Sequence, residues 1–246
     1  MQHRSKKIKK SFFIILVVLI VLSGGSAIYL GNYYHSVDVE KYMNGSSEVS
    51  VEKFDKGWFF DGAGEEKALI FYPGAKVATE AYAPLMYQLA ESGIDCFLVD
   101  MPFHMAFFGM NRAEEIMQEY NYVAWYLGGH SLGGAMAANF AADYVEDHTD
   151  GIRGLLLLAA YPTKDLSTSD MSVVTVYGSE DGVLNMDKIV AGRELMPQDY
   201  KEVCIEGGNH AQFGSYGTQK GDGTAAIPAE EQWARTVEVF VGDESE

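Results

Sequence analysis

The longest uninterrupted apolar pattern lies near the start of the chain. Residues 11–30 carry no charge: Phe12 to Leu22 is unbroken, and after Ser23, Gly24, Gly25, Ser26 and Ala27 the pattern resumes at Ile28, Tyr29 and Leu30. As a helix this stretch reaches about 30 Å, the thickness of a bilayer core, so a transmembrane helix is expected over 11–30. The preceding segment, 1–10, holds Arg4, Lys6, Lys7, Lys9 and Lys10 and no acid. Such a basic flank stays cytoplasmic and leaves the remainder outside, with Tyr29, Tyr33 and Tyr34 near the far interface. The same run also suits a cleaved signal peptide, with Gly25-Ser26-Ala27 as the small-residue cleavage site, which would make the protein secreted. Both readings place the bulk of the chain outside the cytoplasm.

Residues 31–50 are polar, include Asn44-Gly45-Ser46-Ser47, and read as a linker. From 51 to 246 short apolar runs alternate with stretches of helical spacing, which reads as one domain. Val49 to Phe60 reads as a hairpin turning at Lys56-Gly57. Buried strands are expected at Ala68–Tyr72, Cys96–Val99, Leu155–Ala160 and Val173–Tyr177, and further strands at Val123–Leu127 and Lys201–Ile205. Helices are expected at Ala81–Ser92, Asn111–Tyr120, Ser131–Val145, Asn185–Leu195 and Ala229–Val241. Strands that are apolar throughout and separated by helices predict an α/β fold with a mostly parallel sheet covered on both faces. Sites in such sheets lie at the carboxyl ends of the strands.

Charge narrows the partners. The formal net charge is -17. Without the basic decapeptide, 13 basic residues face 35 acidic ones, a net of -22. Such a body repels nucleic acid and anionic lipid, and reads as a solvated acidic surface. The two cysteines, Cys96 and Cys204, sit in strand-like runs and read as buried small hydrophobes, too few for a disulfide scaffold. No CxxC or HExxH pattern occurs, so no metal or cofactor is expected.

The candidate chemistry begins at Gly129-His130-Ser131-Leu132-Gly133, a G-x-S-x-G pattern between the strand YVAWYL and the helix SLGGAMAANFAADYV. A sharp strand-to-helix turn exposes the Ser131 hydroxyl, and the helix N-terminus favours developing negative charge. A serine nucleophile needs a base, and the base needs an orienting carboxylate. His210, directly after the last strand, is the base by position. His148, at the far end of the nucleophile helix, is poorly placed, and His130 is too close to Ser131 to fold back onto it. For the acid, the strand VVTVY runs into Gly178-Ser179-Glu180-Asp181-Gly182; its G-x-x-D pattern points to Asp181, with Glu180 and then Asp165 as alternatives. The oxyanion donors are expected from the amide of Leu132 and from the loop Pro73-Gly74-Ala75-Lys76, with Ala75 as the donor and Lys76 as the alternative. Lys76, His104 and Phe107 are expected at the substrate pocket. Met101, Phe103, Met105, Phe107 and Phe108 form either an apolar acyl pocket or core beneath a loop. Only Tyr161 to Asp170 separates two strands where a lid could be inserted, too short for one, so the site is expected to be open.

Taken together, FYPGAKV, VDMPFHMAFFG, GGHSLGGAMAA, YGSEDGV and GGNHAQFGSYG cover most of the chain from about Ala68 to Val241. In this order they resemble the small lidless α/β-hydrolases of the alpha/beta hydrolase fold-5 type, loosely similar to dienelactone-hydrolase-like esterases. The resemblance implies the α/β-hydrolase fold without a lid domain, a Ser131, Asp181, His210 triad, and esterase-like activity without metal. Where that family often has a histidine-glycine pair at the oxyanion loop, this chain has Pro73-Gly74. The expected function is hydrolysis of a carboxylic ester, or a related acyl bond, in a small-molecule or polymer-attached acyl substrate. The alternative is a non-catalytic extracytoplasmic binding domain on the same fold.

Overall fold

The computed structural model describes residues 16–18, 24–25, 31–148 and 151–243. The basic segment 1–10 and most of the apolar run 11–30 lie outside them. Among the described residues no helix is long and apolar enough to cross a membrane.

Eight strands form one sheet: β1 (Ser50–Phe54), β2 (Gly57–Asp61), β3 (Lys67–Tyr72), β4 (Asp95–Val99), β5 (Ala124–His130), β6 (Ile152–Leu158), β7 (Ser172–Gly178) and β8 (Tyr200–Ile205). Their order is β1-β2-β4-β3-β5-β6-β7-β8. The β1–β2 and β2–β4 pairs are antiparallel, and every pairing from β4 to β8 is parallel. The helices are α1 (Glu40–Met43), α2 (Ala83–Glu91), α3 (Arg112–Glu119), α4 (Leu132–Asp147), α5 (Met186–Gly192) and α6 (Ala229–Asp243).

Residues alternate between two cores along each central strand. Leu69 and Phe71 join one cluster with Leu85, Leu89, Trp233 and Phe240. Ala68, Ile70 and Tyr72 join the other with Ile116, Ala138 and Ala141. Both faces are therefore covered, which is why these strands read as continuous apolar runs. From β3 the chain crosses first to β4 on one side and then to β5 on the other. The carboxyl ends of β3 and β5 thus flank the point where the winding reverses, the place where such sheets open a crevice.

Three expectations are corrected here. The stretch 31–50 is not a free tether from Tyr34 onward. Tyr34 bridges to Val77, Val37 donates to the Ser215 carbonyl at 2.8 Å, and Val39 and Val49 are buried. Its polar composition concealed these two buried valines. Cys204 is exposed while Cys96 is buried; β8 is an edge strand with a largely uncovered face. The hairpin turn falls at Asp55-Lys56, with Gly57 already paired in β2.

The segment between β6 and β7 contains no helix or strand, and its Leu166 and Met171 are buried in the second core. No lid domain is built there, as its length predicts.

Candidate active site

Ser131 sits between the end of β5 and the start of α4 with φ 53° and ψ -120°. Its amide donates to the Leu158 carbonyl at 2.8 Å. A non-glycine residue in this region stores about 1–3 kcal/mol of strain. The flanking glycines make the turn possible. A Cβ on Gly133 would lie 2.1 Å from the Tyr72 carbonyl oxygen, and one on Gly129 would lie 2.5 Å from the carbonyl carbon of Gly133. Strand and helix cross here at backbone contact. Among the described residues six non-glycine residues have positive φ. All but Asp38 follow carboxyl ends of strands: Lys76 after β3, Phe103 and His104 after β4, Ser131 after β5, and Ala159 after β6. Strain is concentrated on one edge of the sheet.

His210 reaches the same edge from the loop after β8. Its Nδ1 lies 2.8 Å from Oδ2 of Asp181, and each side chain is only 2% exposed. The other carboxylate oxygen of Asp181 accepts the amides of Val183 at 2.9 Å and Leu184 at 2.8 Å. Asp181 is thereby fixed by its own loop while it faces the imidazole. A carboxylate can only accept, so Nδ1 is the donor of this pair, the arrangement that in a neutral imidazole leaves Nε2 with its lone pair. Ser131, Leu132 and His210 all line one cavity of about 270 Å3, with Tyr161, Val183 and Leu184 on its other walls. A larger depression of about 620 Å3 lies at the far end of α4, beside His148 and Asp165, and gathers neither Ser131 nor His210.

The alternatives for base and acid lie elsewhere. His148 caps the far end of α4 and stacks on Tyr144. Glu180 is exposed and bonded to Ser179, and Asp165 is exposed and closes a turn on the Ser167 amide. In the loop after β3, Gly74 donates its amide to the Tyr82 hydroxyl at 3.1 Å and Lys76 donates its amide to the His104 carbonyl at 2.8 Å. Among the described residues no hydrogen bond takes the Ala75 amide between them. None of Lys76, His104 and Phe107, expected at the substrate pocket, lines the cavity at Ser131. Phe107 instead borders a separate surface depression with Phe108 and Arg112. The loop after β4 carries its rings outward, and periodicity could not foretell that direction. The neutral-to-charged change of His104 is pushed to lower pH, chiefly by burial.

Three supporting groups escaped the sequence reading. Asp222 accepts the amides of Gly182 at 3.1 Å and His210 at 3.2 Å with one oxygen, and that of Ala211 at 2.8 Å with the other. Its setting, Gly221-Asp222-Gly223, looks like simple turn chemistry, and that carboxylate between two glycines was the available signal. Gln232 of α6 is fully buried and exchanges two bonds with the Asn209 backbone, at 3.0 and 2.8 Å. Tyr82 places its hydroxyl 2.7 Å from Nδ1 of His130. The His130 ring lies 4.4 Å, centroid to centroid, from that of His210. Burial, and then the neighbouring His210, hold His130 well below the usual histidine range, so it is neutral.

The chain matches the alpha/beta hydrolase family over residues 68–234. No curated protein matches it in sequence. Among solved structures it is similar to carboxyl esterase 2 of the mycorrhizal fungus Tuber melanosporum, with TM-score 0.60, 13% identity, and 85% of this chain and 89% of that chain covered. It is similar to the Paleococcus ferrophilus monoacylglycerol lipase, with TM-score 0.57, 14% identity, and 80% and 99% covered. A Pyrobaculum calidifontis esterase gives TM-score 0.58 at 14% identity, with 84% and 88% covered. At such identities these likenesses speak for the fold. The family match spans the strained Ser131 turn, the Asp181 loop after β7 and the His210 loop after β8, and with it the chain belongs to the alpha/beta hydrolase family.

Proposed function

We propose that this chain is a serine hydrolase that cleaves carboxylic esters through an acyl-enzyme on Ser131, held at a membrane by residues 11–30 with the catalytic domain outside the cytoplasm. One observation carries the catalytic part: His210, sealed against Asp181 at 2.8 Å, shares a cavity with a serine held in a strained, outward-facing turn.

The Ser131 oxygen attacks the ester carbonyl while Nε2 of His210 takes its proton. Asp181 keeps the imidazole in the required tautomer and stabilises the imidazolium that forms. The amides of Leu132 and Ala75 receive the developing oxyanion, and the N-terminus of α4 adds its dipole. The C–O bond then breaks, and the alcohol leaves with the proton returned by His210. Water attacks the acyl-enzyme by the same steps and frees the acid and Ser131. A cavity of about 270 Å3 is at the small end for ligand sites and favours a short acyl group. The esterase and lipase names of the similar structures agree with this reaction. The uncharged run and its basic flank support the membrane placement.

Labelling with a fluorophosphonate tests the reading. Wild type should label, and Ser131→Ala should not. A folded wild type that stays unlabelled would favour the alternative, a binding domain without turnover.

A further inference from the structure

After β4 the chain turns through 101–109 next to the catalytic edge. Met101 and Ala106 are buried and root this loop, yet Phe103, Phe107 and Phe108 are 58%, 66% and 56% exposed. The rings meet edge to face, with centroids 5.7 Å apart for Phe103–Phe108 and 5.5 Å for Phe107–Phe108. Leaving a phenylalanine in water forgoes about 1.5–3 kcal/mol. The backbone adds to that cost: Phe103 and His104 have φ of 56° and 54°, a region disfavoured for non-glycine residues. The loop bears strain and holds three aromatic rings in solvent on the edge where Ser131 lies.

The route of the chain indicates what covers them. The His104 carbonyl accepts from the Lys76 amide at 2.8 Å, and the Lys76 carbonyl accepts from the Tyr34 amide at 2.7 Å. Tyr34 is thus fixed two backbone hydrogen bonds from the loop that carries Phe103. The uncharged run ends at Leu30, four residues earlier, and four residues reach at most about 14 Å. A bilayer that takes up this run must lie within that reach of Tyr34.

We propose that Phe103, Phe107 and Phe108 seat in the outer interface of the bilayer that residues 11–30 enter, turning the catalytic edge of the sheet towards the lipid. Phenylalanine on an exposed apolar face buries favourably at the headgroup–acyl boundary. The net charge of -22 beyond residue 10, 13 basic against 35 acidic residues, gives no attraction to anionic lipid, so the contact is apolar and insensitive to salt. The inference rests on the membrane reading above. It adds an orientation, and short acyl groups presented at the lipid surface become the favoured substrates.

The test uses the full chain in phosphatidylcholine vesicles, with flotation to confirm association and brominated phosphatidylcholine as quencher. Phe107→Trp places the reporter in the cluster. Val123→Trp, at a residue 74% exposed before the amino end of β5, is the control on the opposite edge. The emission added by Phe107→Trp should fall about twofold in brominated vesicles, as for an indole at the interface, and that added by Val123→Trp should not. Equal quenching of both, or of neither, in protein that floats would overturn the orientation and leave the anchor intact. Emission from Phe107→Trp that shifts with protein concentration but is not quenched by lipid would assign the cluster to a second copy of the chain and also overturn it. Failure to float would remove anchor and docking together. Fluorophosphonate labelling of Ser131 reads the hydrolase independently in every case.

Discussion

Asp222 accepts the backbone amide of His210 at 3.2 Å with the same oxygen that takes the amide of Gly182, the residue after Asp181, at 3.1 Å. One carboxylate therefore ties the Asp181 loop to the His210 loop, although it bonds to neither side chain. Asp222→Ala would let the two loops separate. Displacements near 1 Å can lower turnover about 100-fold. The expected result is a kcat drop of that order with KM little changed. Asp222→Asn, which keeps one acceptor oxygen, should recover part of it. A matched fall in KM and kcat, or no recovery, would mean Asp222 is no positioning residue.

Asp181, unlike Asp222, meets the imidazole itself, at Nδ1. Asp181→Asn retains the shape but presents an amide that can donate to Nδ1, favouring the wrong tautomer at Nε2. Loss of the aspartate in serine triads lowers kcat about 10⁴-fold. Steady-state hydrolysis of a short-chain p-nitrophenyl ester should show a fall of this size with fluorophosphonate labelling slowed in parallel. A loss below about 10-fold would remove Asp181 from the proposed role.

The parts of this site that were legible in the sequence are those that local chemistry dictates. Ser131 was visible because a strand can pass into a helix at such a turn only with glycines on both sides, and Gly129 and Gly133 are indeed in backbone contact. Asp181 and His210 were visible because the carboxyl ends of β7 and β8 deliver them, and strand ends show as changes in hydropathy. The eight-stranded order was not legible, since periodicity marks strands without saying which ones pair. Nor was the role of Asp222, which depends on a loop folding back across two others. Phe103 and Phe107 misled because an apolar residue in a loop carries no sign of direction. Cys204 misled because the alternation that buries one face cannot show that β8 lies at the sheet edge.

The crossing at Gly133 gives a stability prediction. A methyl group there would lie 2.1 Å from the Tyr72 carbonyl oxygen and 2.4 Å from that of Pro73. Both neighbours are backbone, so neither can rotate away. Gly133→Ala should cost about 3 kcal/mol, at the upper end for overpacking, and should move the oxyanion loop. Urea denaturation measures the first effect. A cost under about 0.5 kcal/mol, the level of an ordinary surface change, would show that the crossing is looser than these contacts imply.

His130 sets a direction for pH dependence. It is 1% exposed, and burial, then His210, hold it well below the ordinary value of 6.5. The unfolded chain therefore binds a proton below about pH 6.5 that the folded chain refuses. Stability from this group is complete above that pH and is lost as pH falls through it, by up to about 1.4 kcal/mol per pH unit. His130→Gln cannot titrate, so its denaturation midpoint should depend less on pH between 7 and 5 than that of wild type. Parallel curves for the two proteins would locate the acid sensitivity elsewhere.

Tyr82 joins the same histidine to the loop after β3, proposed to supply an oxyanion donor. Its hydroxyl accepts the Gly74 amide at 3.1 Å and lies 2.7 Å from Nδ1 of His130. The Gly74 amide can only donate, so the phenolic proton goes to Nδ1 of His130, and burial pushes the Tyr82 phenol up, so that proton stays in place. The hydroxyl is thus both donor and acceptor, and it holds Gly74 beside the Ala75 amide proposed for the oxyanion. Tyr82→Phe removes one oxygen and strands two buried groups, the Gly74 amide and Nδ1 of His130. Each stranded group costs about 1–3 kcal/mol, so a loss of about 2–4 kcal/mol is expected once the loop relaxes. Turnover should suffer beyond stability. With the loop released, the Ala75 amide is no longer fixed, and one oxyanion donor is worth about 10²–10³ in kcat. Kinetics well below the unfolding midpoint separate the two effects. Reduced stability with undiminished kcat would show that the loop finds its place without the phenol, and would take Tyr82 out of the catalytic argument.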